Sequence, residues 1–230
     1  MRYGLISTVL VAAVFSAAGA AIFTPWYATS DCYLLRGQVG HFSCAAEAWV
    51  DGDHRAAVRT WERLASFGDS DSQITLAAIY ILGDGVGRNP EQAKKWARKA
   101  FDKGKAGASN ILGVYHLQNE DYREAFHWFE LAAKGGEPDA INNLGYMYWK
   151  GLGVASDAYR AMDLFARSAA EGYPIAMRNM GLIYGEGAAV PRDYDRARQW
   201  LRRAERAGDP TAADALVKLD EIERLDRPAL

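Results

Sequence analysis

Charge is missing from one end of this 230-residue sequence: after Arg2 no acidic or basic residue occurs until Asp31. Elsewhere the scarce residues are cysteine (2), histidine (4) and proline (7), and neither sign of charge dominates, with 27 Lys+Arg against 29 Asp+Glu. Each scarcity excludes something. A balanced charge gives no broad basic face for a phosphate backbone, so nucleic acid is not an expected partner. The histidines, His41, His54, His116 and His127, form no H-x-x-x-H and no carboxylate-flanked pair, so no metal site is expected. Neither G-x-S-x-G nor Ser-x-x-Lys occurs, and no catalytic residue or cofactor is assigned. Few prolines beside 50% hydrophobic residues fit an ordered domain rather than a disordered chain.

The uncharged end has a pattern of its own. Leu5 to Ala18 is mainly apolar and runs into Ala18-Gly19-Ala20, a small-x-small site of the kind signal peptidase accepts. Residues 1–20 read as a secretory signal cleaved after Ala20. The rival is an uncleaved anchor, because Gly4 to Phe23 supplies the roughly 20 residues a membrane helix needs and Trp26-Tyr27 suit an interface. The protein touches a membrane only in that second case. Either way Arg2 stays inside, and everything after residue 30 faces the outside of the cytoplasm, in the periplasm or beyond. The two cysteines, Cys32 and Cys44, are an even count in an exported chain and read as one disulfide. A redox or metal pair needs closer spacing or further ligands.

From residue 72 the sequence repeats. A small residue follows an apolar one at Leu76-Ala77, Leu112-Gly113, Leu144-Gly145 and Met180-Gly181. Three residues after each small one stands Tyr80, His116, Tyr148 or Tyr184. A Gly-x-Gly comes next, at Gly83/Gly85, Gly151/Gly153 and Gly185/Gly187, and is absent from the second copy. Ala93, Ala125, Ala161 and Ala197 then precede Trp96, Trp128, Leu164 and Trp200 by three, and the units close on Gly104, Gly136, Gly172 and Gly208. The second unit is four residues short between its two apolar segments. Loops absorb such deletions and helices do not, so each unit is expected to be helix A, turn, helix B, turn. GDGVG at Gly83 to Gly87 has the wrong spacing for a phosphate loop and is expected to be one of these turns.

The pattern A-x-x-x-L-G-x-x-Y-x-x-G-x-G-V followed by A-x-x-W-x-x-x-A resembles the Sel1-like repeat, a relative of the tetratricopeptide repeat. Ala140 to Val154, continuing to Ala161, carries the resemblance most fully. It implies an all-α fold, a right-handed α-solenoid of stacked antiparallel helix hairpins, with four repeats over 72–211. Residues 21–71 are then a disulfide-tied cap with a degenerate first hairpin, and 212–230 a capping helix. The resemblance implies a non-enzymatic scaffold whose concave side, lined by the A helices, holds a protein or peptide partner in the cell envelope. An exported inhibitor or immunity protein against a secreted toxin, and a binder of or enzyme acting on cell-wall fragments, are the alternatives.

Within that architecture Leu144, Gly145, Tyr148, Gly151 and Gly153 are scaffold. The A-helix residues that the core stripe leaves unexplained are the expected partner contacts: Asn110, then Asn142, Asn143, Tyr146, Trp149 and Lys150, then Arg178, Asn179 and Glu186. Amides and cations can bond an extended backbone, and a Trp can anchor a side chain.

Overall fold

A computed structural model describes residues 38–226. The signal or anchor segment and Cys32 lie outside the described residues. Cys44 lies inside them and is not a free thiol.

Eleven helices and no strand occupy the described residues. They are α1 (Gln38–Val50) and α2 (His54–Ser66), α3 (Ser70–Leu82) and α4 (Pro90–Phe101), α5 (Gly107–Gln118) and α6 (Tyr122–Lys134), α7 (Pro138–Lys150) and α8 (Ala158–Ala170), α9 (Pro174–Glu186) and α10 (Tyr194–Arg206), and a last helix α11 (Ala212–Asp226). The fold is an all-α repeat of helix hairpins, as the sequence periodicity requires. It falls into two compact units, one ending at Tyr115 and the other beginning at His116.

Each of the four repeat hairpins is closed by the same hydrogen bond. The backbone N–H of the residue capping helix B donates to the carbonyl of the Tyr-slot residue of helix A: Asn89 to Tyr80 (2.8 Å), Asp121 to His116 (2.9 Å), Asp157 to Tyr148 (2.9 Å) and Asp193 to Tyr184 (3.0 Å). The shortened second turn keeps this bond, so its four missing residues were removed between two fixed points. Three of these capping side chains also accept from the helix they open, Asn89 from Gln92 N–H, Asp157 from Arg160 N–H and Asp193 from Arg196 N–H. Such caps satisfy amides that have no partner within the helix. In the short turn Asp121 makes no such bond. Its carboxylate lies instead 3.4 Å from His116 Nδ1.

The turn glycines do two jobs. Gly83, Gly151 and Gly187 end their A helices in the left-handed conformation. Gly85 and Gly153 also have positive φ and press the turn against the start of the preceding B helix, where a Cβ on Gly85 would sit 2.7 Å from the His54 ring and one on Gly153 only 2.3 Å from the Tyr122 carbonyl oxygen. The fourth turn departs from the Gly-x-Gly expected there. Gly187, six residues after Gly181, matches Gly83 and Gly151, whereas Gly185 lies inside α9 against Leu219. Ala189, buried, takes the second place.

In the first unit α1 packs on α2, α2 on α3 and α3 on α4. Trp61, Leu76, Ile79, Ala93, Ala97 and Ala100 are at or near zero exposure. In the second unit α6 packs on α7, α7 on α8, α8 on α9, α9 on α10 and α10 on α11. Phe129, Met147, Phe165, Ile183 and Leu201 fill it. The B helices bury one stripe and leave the opposite face wet, while the A helices are enclosed on most sides. The repeated small residue explains the close fit. A Cβ on Gly145 would lie 2.8 Å from Phe165, and one on Gly181 2.7 Å from Leu201. In α11 that slot holds Val217, which is exposed. Among the described residues no B helix follows α11, so nothing there requires the slot to be small.

Candidate functional site

The A helices of the second unit, α7 and α9, carry most of the residues expected to meet a partner, and the structure sorts them into two groups. Asn142, Asn143 and Asn179 are buried. Asn179 Nδ2 donates to Asn142 Oδ1 at 2.9 Å, and Asn142 Nδ2 lies 3.5 Å from Asn143 Oδ1. A primary amide offers two donors and an acceptor, so side by side on neighbouring helices these groups satisfy one another inside the protein. They hold α7 to α9 rather than facing outward. Asn110, on α5, is buried too.

Arg178 is also committed inward. Its Nε lies 3.2 Å from Asp209 Oδ2, and its Nη1 donates to Thr211 Oγ1 at 2.6 Å. The Thr211 N–H and hydroxyl both donate to Asp209 Oδ1, at 2.8 and 2.7 Å. The side chains of Arg178 and Asp209 are 13% and 1% exposed, so the pair is nearly dry. It ties α9 to the turn that leads into α11. Tyr173 lies in the same environment, and burial first, then the carboxylates of Asp139 and Asp209, pushes its hydroxyl above the usual phenol range. It therefore stays neutral.

Four expected contacts remain at the surface. Tyr146 and Trp149 are half-buried, and Lys150 and Glu186 are exposed. Three residues apart on α7, Tyr146 and Trp149 share a face and meet edge-on, ring centroids 6.5 Å apart at 85°. Trp149 meets the core residue Phe165 the same way, at 6.0 Å and 86°. The Lys150 ammonium stands 3.7 Å from the Trp149 ring centroid. Trp149 is thus fixed from behind and presents its remaining surface beside a cation. The equivalent position of α9 is Gly185, so no large side chain follows Trp149 in the next repeat.

The sequence reading missed two features. One is the capping Asn or Asp four residues before each helix-B alanine, a recurrence visible at Asn89, Asp121, Asp157 and Asp193. The other is the partner of Arg178, which is 31 residues away and has no equivalent in the other repeats.

The Sel1 repeat model matches residues 70–105, 109–137, 138–173 and 174–209. The chain belongs to the Sel1 repeat family. Repeats of this family typically carry protein–protein interactions. The chain is 33% identical over 101 residues to the ERAD-associated E3 ubiquitin-protein ligase component HRD3B of Arabidopsis thaliana, covering 44% of this chain and 16% of that protein. Among solved structures it resembles a Sel1 repeat protein from Oxalobacter formigenes (TM-score 0.69, 25% identity, 83% of this chain and 79% of that one). It also resembles a protective antigen of uropathogenic Escherichia coli with an SLR fold (TM-score 0.68, 29% identity, 80% and 42%). The chain therefore spans only a small part of the length of that curated relative. This Sel1 repeat chain has its repeat boundaries where the closing glycines stand: Gly104, Gly136, Gly172 and Gly208 all have positive φ.

Proposed function

We propose that this Sel1 repeat protein is an exported, non-enzymatic scaffold that binds a protein or peptide segment on the exposed A-helix surface of its second unit. The observation that carries this is the half-exposed Tyr146–Trp149 pair, held against Phe165 and topped by Lys150. An aromatic that is rigid before binding loses little freedom on binding, and such residues dominate interface energies. Lys150 and Glu186 supply opposite charges at the rim, suited to the termini or charged side chains of a bound segment. The name of the Arabidopsis relative, a component of a ligase, fits a role inside an assembly.

Trp149→Ala and Lys150→Glu test this surface. The partner is recovered from an envelope extract with the unaltered chain and titrated against each variant, with circular dichroism beside it. Each variant should bind at least tenfold more weakly, about 1.4 kcal/mol, with Lys150→Glu leaving helicity untouched. Unchanged binding in both variants, or binding lost only in step with helicity, overturns the assignment.

Export rests on the uncharged N-terminal run and its small-x-small site, and the Cys32–Cys44 bridge on the even cysteine count and on Cys44 not being a free thiol. Intact mass of the envelope-fraction protein should correspond to a chain beginning at Ala21. A full-length mass there means an anchor instead, and recovery from the cytoplasm overturns export.

A further inference from the structure

The first unit has a surface that the Trp149 site does not use. Helix α4 buries Ala93, Trp96, Ala97 and Ala100, and its outer face carries Lys94, Lys95, Arg98 and Lys99, all exposed, with exposed Lys103 just past its end. Five cations in ten residues stand with two carboxylates, Asp102, which is spent on Arg98 at 3.6 Å, and Glu91 just before them, which accepts from the Tyr115 hydroxyl at 2.7 Å. Lys94, Lys95 and Lys99 have no ion pair among the described residues. Their ammonium groups lie instead over aromatic rings, Lys94 at 4.7 Å from the Tyr115 centroid, and Lys95 and Lys99 at 5.0 and 4.8 Å from that of Trp96.

In the second unit Arg198 is surrounded by Asp195 (3.3 Å), Asp220 (2.8 Å) and Glu223 (2.6 Å), and Arg192 pairs with Asp226. Arg202, Arg203 and Arg206 on the outer face of α10 have no ion pair among the described residues, and Arg203 stands over Trp200 at 4.4 Å. What sets α4 apart is the surface at the end of its row. At the end of the lysine row a shallow hollow of about 440 Å³ opens between Lys99, Asp102, Lys103, Ser66, Gly68 and Gln73. Phe67, between Ser66 and Gly68 in the chain, is 73% exposed.

We infer that the α4 face docks an acidic polypeptide segment, whose carboxylates lie along Lys94, Lys95 and Lys99 and whose apolar side chain reaches the hollow beside Phe67. Rings under the lysines hold their ammonium groups near the surface without neutralising them, so the charge is presented in advance of binding. A membrane is the poorer occupant. An interfacial helix needs an apolar face to insert, and that of α4 is inside the fold. Nucleic acid is poorer still, because a row of about 14 Å, from nine residues at 1.5 Å each, meets few phosphates.

The test is fluorescence anisotropy of a short labelled peptide rich in Glu and Asp with one Phe, titrated with the intact protein at about 0.15 M salt, where charges are screened beyond about 8 Å. The triple variant Lys94→Glu/Lys95→Glu/Lys99→Glu should bind the peptide at least tenfold more weakly. A control of equal charge change, Arg202→Glu/Arg203→Glu/Arg206→Glu on the exposed face of α10, should stay within about twofold of the unaltered protein, near the spread expected for an unrelated surface charge. Lys94→Gln/Lys95→Gln/Lys99→Gln should fall in between, with circular dichroism unchanged. Equal losses in the α4 and α10 variants would make the effect one of net charge and overturn the site. So would no loss in either, or binding to phosphatidylglycerol vesicles without binding to the peptide.

Discussion

Asp209→Ala should lower the stability of the second unit by about 3 to 5 kcal/mol, the usual cost of removing one partner of a buried ion pair. The reason lies in what stays behind. A guanidinium keeps its charge in a protein, and the Arg178 side chain is only 13% exposed. Without Asp209 it retains Thr211 Oγ1 as acceptor, and Thr211 in turn loses the oxygen to which its own N–H and hydroxyl donate. One substitution therefore leaves one buried charge and two donors without their partner. The double variant Arg178→Met/Asp209→Ala removes the charge together with the carboxylate and should regain a large part of the loss, because a dry pair is often replaceable by apolar groups. Denaturant titration followed by circular dichroism and tryptophan emission, to which Trp200 contributes from its place on the Ala176, Met177, Ala204 and Ala212 cluster, measures both variants. A loss below about 1 kcal/mol for Asp209→Ala, or no recovery in the double variant, would show that Arg178 reaches water and the pair is not a support. Repeats contact mainly their neighbours, so the first unit should keep its own unfolding transition.

How far such features can be read in a sequence depends on how local their cause is. The hairpins were legible because their causes recur: a small residue where two helices touch, an apolar stripe on helix B, and a glycine wherever the chain must turn left-handed. The four-residue deletion could be placed in a turn, and the bond from Asp121 N–H to the His116 carbonyl shows why the hairpin survives it. The fourth turn was misread by two residues because two glycines, Gly185 and Gly187, offered the pattern in the wrong register. Only the conformation of Gly187 and the packing of Gly185 on Leu219 tell them apart.

The amides and Arg178 went astray for a different reason. Spacing places a residue on a face of its helix, but it does not say whether another helix covers that face. Asn143 and Asn179 take matching positions of successive A helices, but the bond runs from Asn179 to Asn142, one residue earlier, so the amides meet one another inside the protein. Tyr146 and Trp149 remain half-exposed on α7, a difference that spacing along one helix does not reveal. Lys94, Lys95 and Lys99 could be seen in the sequence only as a charged outer face. Which rings and which acceptors lie under them depends on the helices beside α4.

Gly153→Ala should cost far more than Gly136→Ala, although both glycines sit at positive φ, 70° and 81°. At Gly136 nothing lies within 4 Å of where a Cβ would be. The substitution there carries only the left-handed penalty, about 1 to 2 kcal/mol. At Gly153 the same penalty applies, and the new methyl would stand 2.3 Å from the Tyr122 carbonyl oxygen, 2.5 Å from its carbon and 2.9 Å from the Arg123 nitrogen. These are backbone atoms at the first turn of α6, so no rotamer change relieves the clash. Either the turn Gly151 to Ser156 lifts off α6, or α6 shifts and disturbs Phe129 in the core. Overpacking of that kind adds about 1 to 3 kcal/mol, for a total of about 2 to 5 kcal/mol. The difference between the two variants isolates contact from conformation, and urea unfolding of both under one condition measures it. Equal losses would mean that the turn yields freely and that the second glycine of the motif is kept for its φ alone. A larger loss at Gly153 means that it is kept because two backbones meet there, which makes this turn the joint between successive hairpins.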